Sequence, residues 1–213
     1  WTSNSSGTNK DLYGVTYGNS TFVAVGGSGV IVTSPDGVTW TTRTSGTSNI
    51  LYGVTYGNST FVAMGYSGTI LTSPDGVTWT TRTSGTSNHL WGITYGNSTF
   101  IVVGDLGTIL TSPDGVVWTT NSSGTSKDLY KVAYGNSTFV AVGGYRTIHT
   151  SPDAVTWTER ASGASNSLYE VTYGNSIFVT VGGYGTILTS PDAVTWTERA
   201  SGTSKDLYGV TYG

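Results

Sequence analysis

Arginine, glutamate and histidine side chains are the groups in this sequence that could support chemistry on a substrate. Hydrolysis of a glycoside that carries a carboxylate would need clustered arginines for that carboxylate and a converging pair of acidic groups. The arginines recur at one position of an internal repeat, and two glutamates adjoin them: Arg43, Arg82, Arg160 and Arg199, with Glu159 and Glu198. Because these copies belong to separate repeats, they do not converge on one substrate. We interpret them as edge-strand charges that prevent association between sheets.

The remaining titratable groups do not form a second site in the sequence. His89 and His149 are single substitutions at otherwise repetitive positions, and His149 replaces the Val or Leu of a predicted strand. The turn aspartates supply one carboxylate each, whereas calcium takes six to eight oxygens. The chain has no cysteine for a thiolate zinc site or a nucleophile. We therefore predict no enzyme activity, no cofactor and no metal site, with His149 a tolerated core residue.

Composition narrows the class of protein further. The 213 residues are 36% hydrophobic and only 10% charged, against about 25% charged in an average soluble domain. A net charge of −3 offers no electrostatic footprint for nucleic acid or an anionic membrane. No apolar run approaches the ~18 residues of a membrane-spanning helix. We expect one domain over residues 1–213, secreted or at the surface of a bacterial-type cell, with no nucleic-acid partner and no membrane insertion.

An internal repeat organises the chain. Six tryptophans follow one another at a constant interval: Trp1, Trp40, Trp79, Trp118, Trp157 and Trp196. Four short strand signals, A to D, recur in every repeat, and no window has helical spacing of apolar residues. In the first full repeat they are Leu12–Tyr17, Thr21–Val25, Val30–Thr33 and Val38–Thr42.

Strand B of each unit is apolar on both faces, which requires a packed sheet on either side. Radially stacked sheets meet this need, so the sequence predicts an all-β fold: a β-propeller of five four-stranded antiparallel blades. A β-solenoid is the alternative, although its coils are usually shorter than the repeat found here. The predicted blades are residues 11–46, 50–85, 89–124, 128–163 and 167–202, with surplus terminal segments at 1–10 and 203–213.

The turn between strands C and D carries a repeated motif, Ser34-Pro35-Asp36-Gly37-Val38-Thr39-Trp40 in the first copy. It resembles the Asp-box of sialidase-like (BNR) propellers, shortened by one residue. The resemblance implies a structural turn at the blade periphery and no catalytic element. Its residues here are Ser34, Asp36, Trp40, Ser73, Asp75, Trp79, Ser112, Asp114, Trp118, Ser151, Asp153, Trp157, Ser190, Asp192 and Trp196. Each indole is expected to lie beside its own turn, largely buried.

Differences between copies concentrate in the D–A link and the B–C turn, which emerge on the same face in an up-and-down blade. A rigid scaffold with variable loops on one face is typical of binding proteins. Exposed aromatic rings there would stack on sugars or on a partner. The candidate ligand-binding residues are Tyr66, His89, Trp91, Asp105, Tyr145, Arg146 and Tyr184. Relaxed drift of a surface loop would produce the same variation.

Two departures from glycine on strand A lead to a separate prediction. Lys131 and Glu170 replace glycines at the same height of neighbouring blades. Their side chains should therefore lie close to each other. Glycine at the other copies of this position is expected to suit crowding around a narrow central channel.

These patterns favour a non-catalytic, lectin-like propeller that binds a glycan or a cell-surface partner, by analogy with five-bladed lectins. The first alternative is a structural, self-assembling propeller, designed or recently amplified, because the repeats that begin at Trp40 and Trp79 are nearly identical. A sialidase-like glycosidase is the second, disfavoured by the lack of a converging acidic pair.

Five blades use five A and five D strands, whereas the sequence supplies six of each. Thr2–Ser6 competes with Thr197–Ser201, and Leu12–Tyr17 competes with Leu207–Tyr212. Because an open propeller leaves unpaired edges, we expect a terminal segment to dock on another chain and form a homo-oligomer. A longer array with more blades is the competing explanation.

Overall fold

The computed structural model describes residues 3–213, and within them the regular elements are twenty strands and five 3₁₀ turns. Trp1 and Thr2, part of the predicted Thr2–Ser6 segment, lie outside the described residues. Each 3₁₀ turn has three residues and lies in a B–C connection. The described residues therefore contain no α-helix, as the absence of helical spacing predicts.

The strands form five four-stranded antiparallel sheets in sequence order, and each sheet falls within one predicted blade range. The first contains β1 to β4: Leu12–Gly18, Thr21–Gly26, Ile31–Ser34 and Thr41–Arg43. The second contains β5 to β8: Leu51–Gly57, Thr60–Gly65, Ile70–Ser73 and Thr80–Arg82. The third contains β9 to β12: Leu90–Gly96, Thr99–Gly104, Ile109–Ser112 and Thr119–Asn121. The fourth contains β13 to β16: Leu129–Gly135, Thr138–Gly143, Ile148–Ser151 and Thr158–Glu159. The fifth contains β17 to β20: Leu168–Gly174, Ile177–Gly182, Ile187–Ser190 and Thr197–Glu198.

The described chain divides into two compact units. One runs up to Leu90 and includes Ser112–Thr119, while the other contains Trp91–Thr111 and Thr120–Gly213. The first two sheets belong to the first unit, the fourth and fifth sheets belong to the second, and the third contributes residues to both. The single domain over residues 1–213 remains a prediction.

Strands A and B pair through a two-residue hairpin turn. In the first sheet Asn19 and Ser20 have φ of 45° and 56°, and Gly18 pairs with Thr21. Positive φ at both positions defines the primed turn whose twist matches that of the strands, and Asn tolerates this conformation well. The local sequence is therefore sufficient to set this register.

Strand D begins later than predicted. The sequence placed it at Val38–Thr42, but β4 covers Thr41–Arg43. The Asp36 carboxylate accepts hydrogen bonds from the backbone N–H groups of Val38 and Thr39, both at 2.8 Å. These two groups therefore belong to the turn and cannot join the sheet.

The core consists of apolar faces packed between consecutive sheets. In the first unit Val23, Val25 and Ile31 of the first sheet pack against Leu51, Val54 and Phe61 of the second. The same positions pack together between the fourth and fifth sheets, in Val140, Val142, Ile148, Leu168, Val171 and Phe178. Strand B is buried on both faces as predicted, because Val23, Ala24 and Val25 are each at most 3% exposed.

Glycines allow neighbouring A strands to approach closely. A Cβ on Gly14 would lie 3.0 Å from the Gly53 Cα, and one on Gly92 would lie 2.8 Å from the Lys131 Cα. At the end of strand A, a Cβ on Gly135 would lie 2.1 Å from the Tyr173 ring. Neighbouring A strands therefore approach closely in both units.

Candidate functional site

The D–A link is built from side-chain hydrogen bonds to its own backbone. In the second repeat, Ser84 Oγ donates to the Thr86 carbonyl at 3.2 Å, and the Asn88 N–H donates to Thr86 Oγ1 at 3.0 Å. The same bonds occur one repeat earlier at Ser45, Thr47 and Asn49. Serine and threonine hydroxyls bond to nearby backbone groups in this way in turns. A link without regular secondary structure therefore keeps one shape in successive repeats.

The B–C turn presses against this link. In the second sheet Ser67 and Gly68 have φ of 53° and 70°. A Cβ on Gly68 would lie 2.0 Å from the Thr86 carbonyl oxygen and 2.9 Å from Ser84 Oγ. The glycine is needed both for its left-handed backbone and for the close approach of the link.

An open cleft of about 590 Å³ lies where the link and the turn meet. Its wall contains hydroxyl, amide and guanidinium groups, and its lining includes Asn49, Ser67, Thr69, Thr81, Arg82 and Ser84. The Asn49 side-chain amide donates to Thr69 Oγ1 at 2.9 Å, which fixes two of these polar groups.

The same cleft recurs one period earlier, again with about 590 Å³. Its lining includes Lys10, Ser28, Val30, Thr42, Arg43 and Ser45, the equivalents of residues in the second repeat. A smaller cleft of about 370 Å³ occupies the corresponding place in the fourth repeat, lined by Tyr145, Arg146 and residues 159–164. One kind of cleft thus recurs in the first, second and fourth repeats, and it is smaller in the fourth.

The arginine side chains form a specific hydrogen bond, which the interpretation as edge-strand charges did not include. Arg82 Nε donates to Thr72 Oγ1 of the neighbouring strand at 2.8 Å, and Arg43 does the same to Thr33 at 2.9 Å. This bond uses one of the five N–H groups of each guanidinium. Arg82 and Arg43 each line the cleft of their own repeat. The arginines remain distributed over separate repeats, as the spacing predicted.

The predicted ligand-binding residues are not all at the clefts. Tyr145 and Arg146 line the smaller cleft, and Lys127 Nζ lies 4.3 Å from the centre of the Tyr145 ring. Tyr66 instead stacks on His89 with 4.2 Å between ring centroids.

The other candidates lie in polar contacts of the second unit. The Trp91 indole N–H donates to Asp105 Oδ1. Tyr184 is 73% exposed, and its backbone N–H donates to Asp206 Oδ1 at 2.9 Å.

Variable link residues hold the preceding B–C turn. In the second to fifth sheets the middle N–H of the turn donates to a side chain 22 residues ahead, for example from Ser67 to His89 Nδ1 at 3.1 Å and from Leu106 to Asp128 Oδ1 at 2.9 Å. Tyr145 donates to Ser167 Oγ in the same manner at 3.2 Å. Three chemically different acceptors perform one task, so variation at this position does not by itself indicate a ligand.

The C–D turns contain a second repeated set of hydrogen bonds, which the turn aspartates accept. Asp153 Oδ1 accepts hydrogen bonds from Ser151 Oγ and from the N–H groups of Val155 and Thr156, at 2.9, 2.9 and 2.7 Å. The backbone bonds from Thr156 and Val155 lower the pKa of Asp153 to about 2. Similar bonds lower the pKa of the other four turn aspartates, Asp36, Asp75, Asp114 and Asp192.

The tryptophan that follows each C–D turn lies beside that turn, in Trp40, Trp79, Trp118, Trp157 and Trp196. The Trp79 indole N–H donates to the Gly76 carbonyl at 2.9 Å, and Trp157 does the same to Ala154 at 3.1 Å. These indoles are neither fully buried nor exposed, and Trp79, Trp157 and Trp196 pack against the core.

Two further sets of titratable groups lie on strands. Lys131 Nζ and Glu170 Oε2 form an ion pair at 3.3 Å, which confirms the predicted proximity. Burial raises the pKa of Glu170, and Lys131 opposes this effect. His149 is 2% exposed, burial lowers its pKa, and its Nδ1 has no hydrogen-bond partner among the described residues.

The described residues contain no group of three or more His, Asp or Glu side chains placed to hold a metal ion. None of their helices has the length and apolar character to cross a membrane.

Five four-stranded antiparallel sheets built from one repeat define the class of this protein: it is a five-bladed β-propeller. No known family model matches the chain, and no curated protein matches it in sequence. Among solved structures it is similar to virginiamycin B lyase from Staphylococcus aureus, with a TM-score of 0.83 and 13% identity over 92% of this chain and 72% of that one.

Two further propellers are similar in fold. YCF48 bound to a D1 peptide has a TM-score of 0.71 and 18% identity, over 91% of this chain and 68% of that one. The computationally designed Ika8 protein has a TM-score of 0.76 and 11% identity, over 95% of this chain and 65% of that one. At these identities the similarity concerns the fold alone.

Proposed function

We propose that this propeller is a non-catalytic binding module that takes carbohydrate in repeated clefts between the D–A link and the B–C turn. The observation that carries the proposal is the recurrence of one cleft in consecutive repeats, with the same volume of about 590 Å³. A repeated, shallow cleft with hydroxyl, amide and guanidinium groups in its wall suits a ligand that is itself repetitive and rich in hydroxyl groups.

The chemistry of the lining supports a sugar. Arg82 supplies N–H donors and the Thr81 hydroxyl both donates and accepts, whereas Ser84 Oγ already donates to the Thr86 carbonyl. The backbone positions of the cleft are held by the link and the turn, so little ordering is required on binding. Because each cleft is open to solvent, it would bind a sugar weakly by itself. Simultaneous occupation of several clefts would raise the overall affinity.

The arginine also bears on the kind of sugar. Guanidinium groups pair with carboxylate and sulfate oxygens through two parallel hydrogen bonds, and the first-repeat cleft contains Lys10 in addition to Arg43. We therefore place acidic glycans ahead of neutral ones. We further propose that the C–D turns are Asp-boxes that stabilise the blades without contacting ligand, and that the protein acts outside the cytoplasm or at a cell surface.

A glycan array with the full chain tests the proposal, followed by titration of the best acidic glycan and its neutral counterpart. Thr83→Trp should fill the second-repeat cleft and weaken binding, because Thr83 is exposed and lines it. Thr80→Trp is the matched control, since Thr80 is exposed in the strand that directly precedes Thr83 but is not part of the lining.

Loss of binding in the Thr83 variant alone supports the cleft. An array without any hit, or equal loss in both variants, would contradict it. A blank array together with a defined assembly would favour the structural alternative.

A further inference from the structure

An apolar face of the first sheet is exposed. Leu12, Val15 and Tyr17 on β1 form this first-sheet face, and they are 38%, 63% and 58% exposed. Their equivalents on β5, Leu51 and Val54, are 0% and 8% exposed. The difference arises because Leu51 and Val54 are covered by the preceding sheet.

A matching face lies on the fifth sheet. Val179, Val181 and Ile187 form this fifth-sheet face, and they occupy the repeat positions of Val23, Val25 and Ile31. In the first unit the latter three cover Leu51 and Val54. On the fifth sheet Val179 and Ile187 are only partly buried. The chain therefore carries both halves of the interface that it uses between its own sheets.

The last residues of the chain occupy part of the fifth-sheet face. The Leu207 N–H donates to the Gly182 carbonyl at 3.0 Å, and Tyr208 stacks on Tyr169 at 5.2 Å between centroids. A Cβ on Gly174 would lie 2.1 Å from Tyr212 Cγ, the same distance as between Gly135 and Tyr173. Residues 207–213 thus lie where the A strand of a following sheet would lie.

This segment forms no strand, and Tyr208 and Tyr212 are 70% and 61% exposed. Of the two segments that the sequence predicts to compete, Leu12–Tyr17 lies in β1 of the first sheet, whereas Leu207–Tyr212 rests on the fifth sheet without forming a strand.

The two segments are identical in sequence. Residues 10–18 and residues 205–213 both read Lys-Asp-Leu-Tyr-Gly-Val-Thr-Tyr-Gly. Any place that accepts the second therefore accepts the first with the same side chains. Asp11 is the equivalent of Asp206, whose carboxylate holds the Tyr184 N–H.

We propose that the first-sheet face of one copy binds the fifth-sheet face of a second copy of this chain and displaces residues 205–213 of that copy. The incoming β1 brings the rest of its sheet with it, including the half-buried Phe22, whose equivalents Phe61 and Phe178 are fully buried. The displaced segment has no strand partner to lose. Exchange of an identical element between copies is a low-cost route to assembly.

Four variants of the full chain test this head-to-tail contact. Val15→Arg places a charge on the first-sheet face, and Gly174→Ala fills the space that the Tyr17 ring of the second copy requires. Val38→Arg is the matched control, because Val38 is 55% exposed in the C–D turn of the same sheet. Tyr17→Lys serves as a second first-sheet variant, and far-ultraviolet circular dichroism verifies that each variant is folded.

Sedimentation velocity over a concentration series measures the result. We expect the unmodified chain and Val38→Arg to form species above the 22.2 kDa monomer as concentration rises. Val15→Arg and Gly174→Ala should each weaken association about tenfold or more, which corresponds to about 1.4 kcal/mol. A mixture of the two should restore a dimer, because one retains an intact fifth-sheet face and the other an intact first-sheet face.

Three results would overturn the proposal. These are a chain that stays at 22.2 kDa throughout, association that Val15→Arg and Tyr17→Lys leave unchanged, and a mixture that forms no dimer although both variants are folded. Glycan binding is measured separately, so failure of this proposal leaves the proposed function standing.

Discussion

Gly135 ends β13 where the Tyr173 side chain of the fifth sheet packs against it. A Cβ on Gly135 would lie 2.1 Å from Tyr173 Cγ and 2.3 Å from Cδ1, whereas carbon atoms in contact lie about 3.5–4.0 Å apart. Tyr173 cannot easily yield, because its ring lies 4.6 Å from that of the buried Phe178. Gly135→Ala should therefore force the ring and the fifth sheet to move.

The magnitude follows from two opposing effects. Overpacking of this kind costs about 1–3 kcal/mol. Replacing Gly by Ala reduces the freedom of the unfolded chain and returns about 0.4–1 kcal/mol. We expect a net loss of about 1–2 kcal/mol, which lowers the Tm of a chain of this length by about 2–8 °C.

Gly174→Ala is the matched control for thermal unfolding followed by circular dichroism. The same Cβ would lie 2.1 Å from Tyr212 Cγ, but Tyr212 is 61% exposed on a terminal segment and can move away. Its Tm should stay constant or rise slightly. Gly209→Ala, whose Cβ would meet nothing within 4 Å, reports the effect of alanine alone. Equal losses at Gly135 and Gly174, or no loss at Gly135, would refute the steric argument.

The remaining predictions concern polar groups. Asp75→Ala removes the acceptor of three hydrogen bonds and should lower the free energy of unfolding in urea by about 1–2 kcal/mol. Asp75→Ser should recover part of this loss. An unchanged urea midpoint of Asp75→Ala would contradict the stabilising role of the turn. The folded-state pKa of Asp153 is lowered from 3.8 to about 2. Its stabilising contribution is therefore complete above about pH 4 and should be lost as the pH falls through about 2. Measurement of Tm against pH for the unmodified chain and for Asp153→Asn will check this. Arg146 has a strained backbone φ of 60° where the other repeats have glycine. Arg146→Gly should therefore stabilise the fold by about 1 kcal/mol and enlarge the 370 Å³ cleft. A lower Tm of this variant would argue against backbone strain at Arg146. Lys131→Met leaves the Glu170 carboxylate buried without its cation, so stability should fall at pH 7 and recover as the pH is lowered and Glu170 is protonated; equal losses at both pH values would show that the ion pair is not responsible.

The candidate site was only partly predictable from sequence. Reasoning on variable residues selected Tyr145 and Arg146, which line a cleft. It passed over Asn49 and Ser84 because they belong to a link whose hydroxyl and amide residues look like ordinary turn formers. The available signal was the repetition of this link together with an arginine at a fixed distance before it. Variation in the link was the weaker guide, since His89 and Asp128 serve the same backbone contact.

The five sheets could be predicted from sequence because the signals that specify them are local. The Asn-Ser turn between strands A and B, the apolar run of strand B and the Ser-Pro-Asp turn each act within a few residues. The internal repeat then reproduces the result along the chain. Even the proximity of Lys131 and Glu170 follows from equivalent heights on consecutive A strands.

The contacts between repeats, in contrast, depend on tertiary packing. Contacts such as that between Ser67 and His89 join residues 22 positions apart, and that between Asn58 and Pro113 spans 55 positions. They form only when one sheet packs on the next, which no local pattern specifies. For the same reason identical segments at residues 12–18 and 207–213 have different fates: the first pairs with β2 as a strand, whereas the second has no following strand to pair with and rests on the fifth sheet.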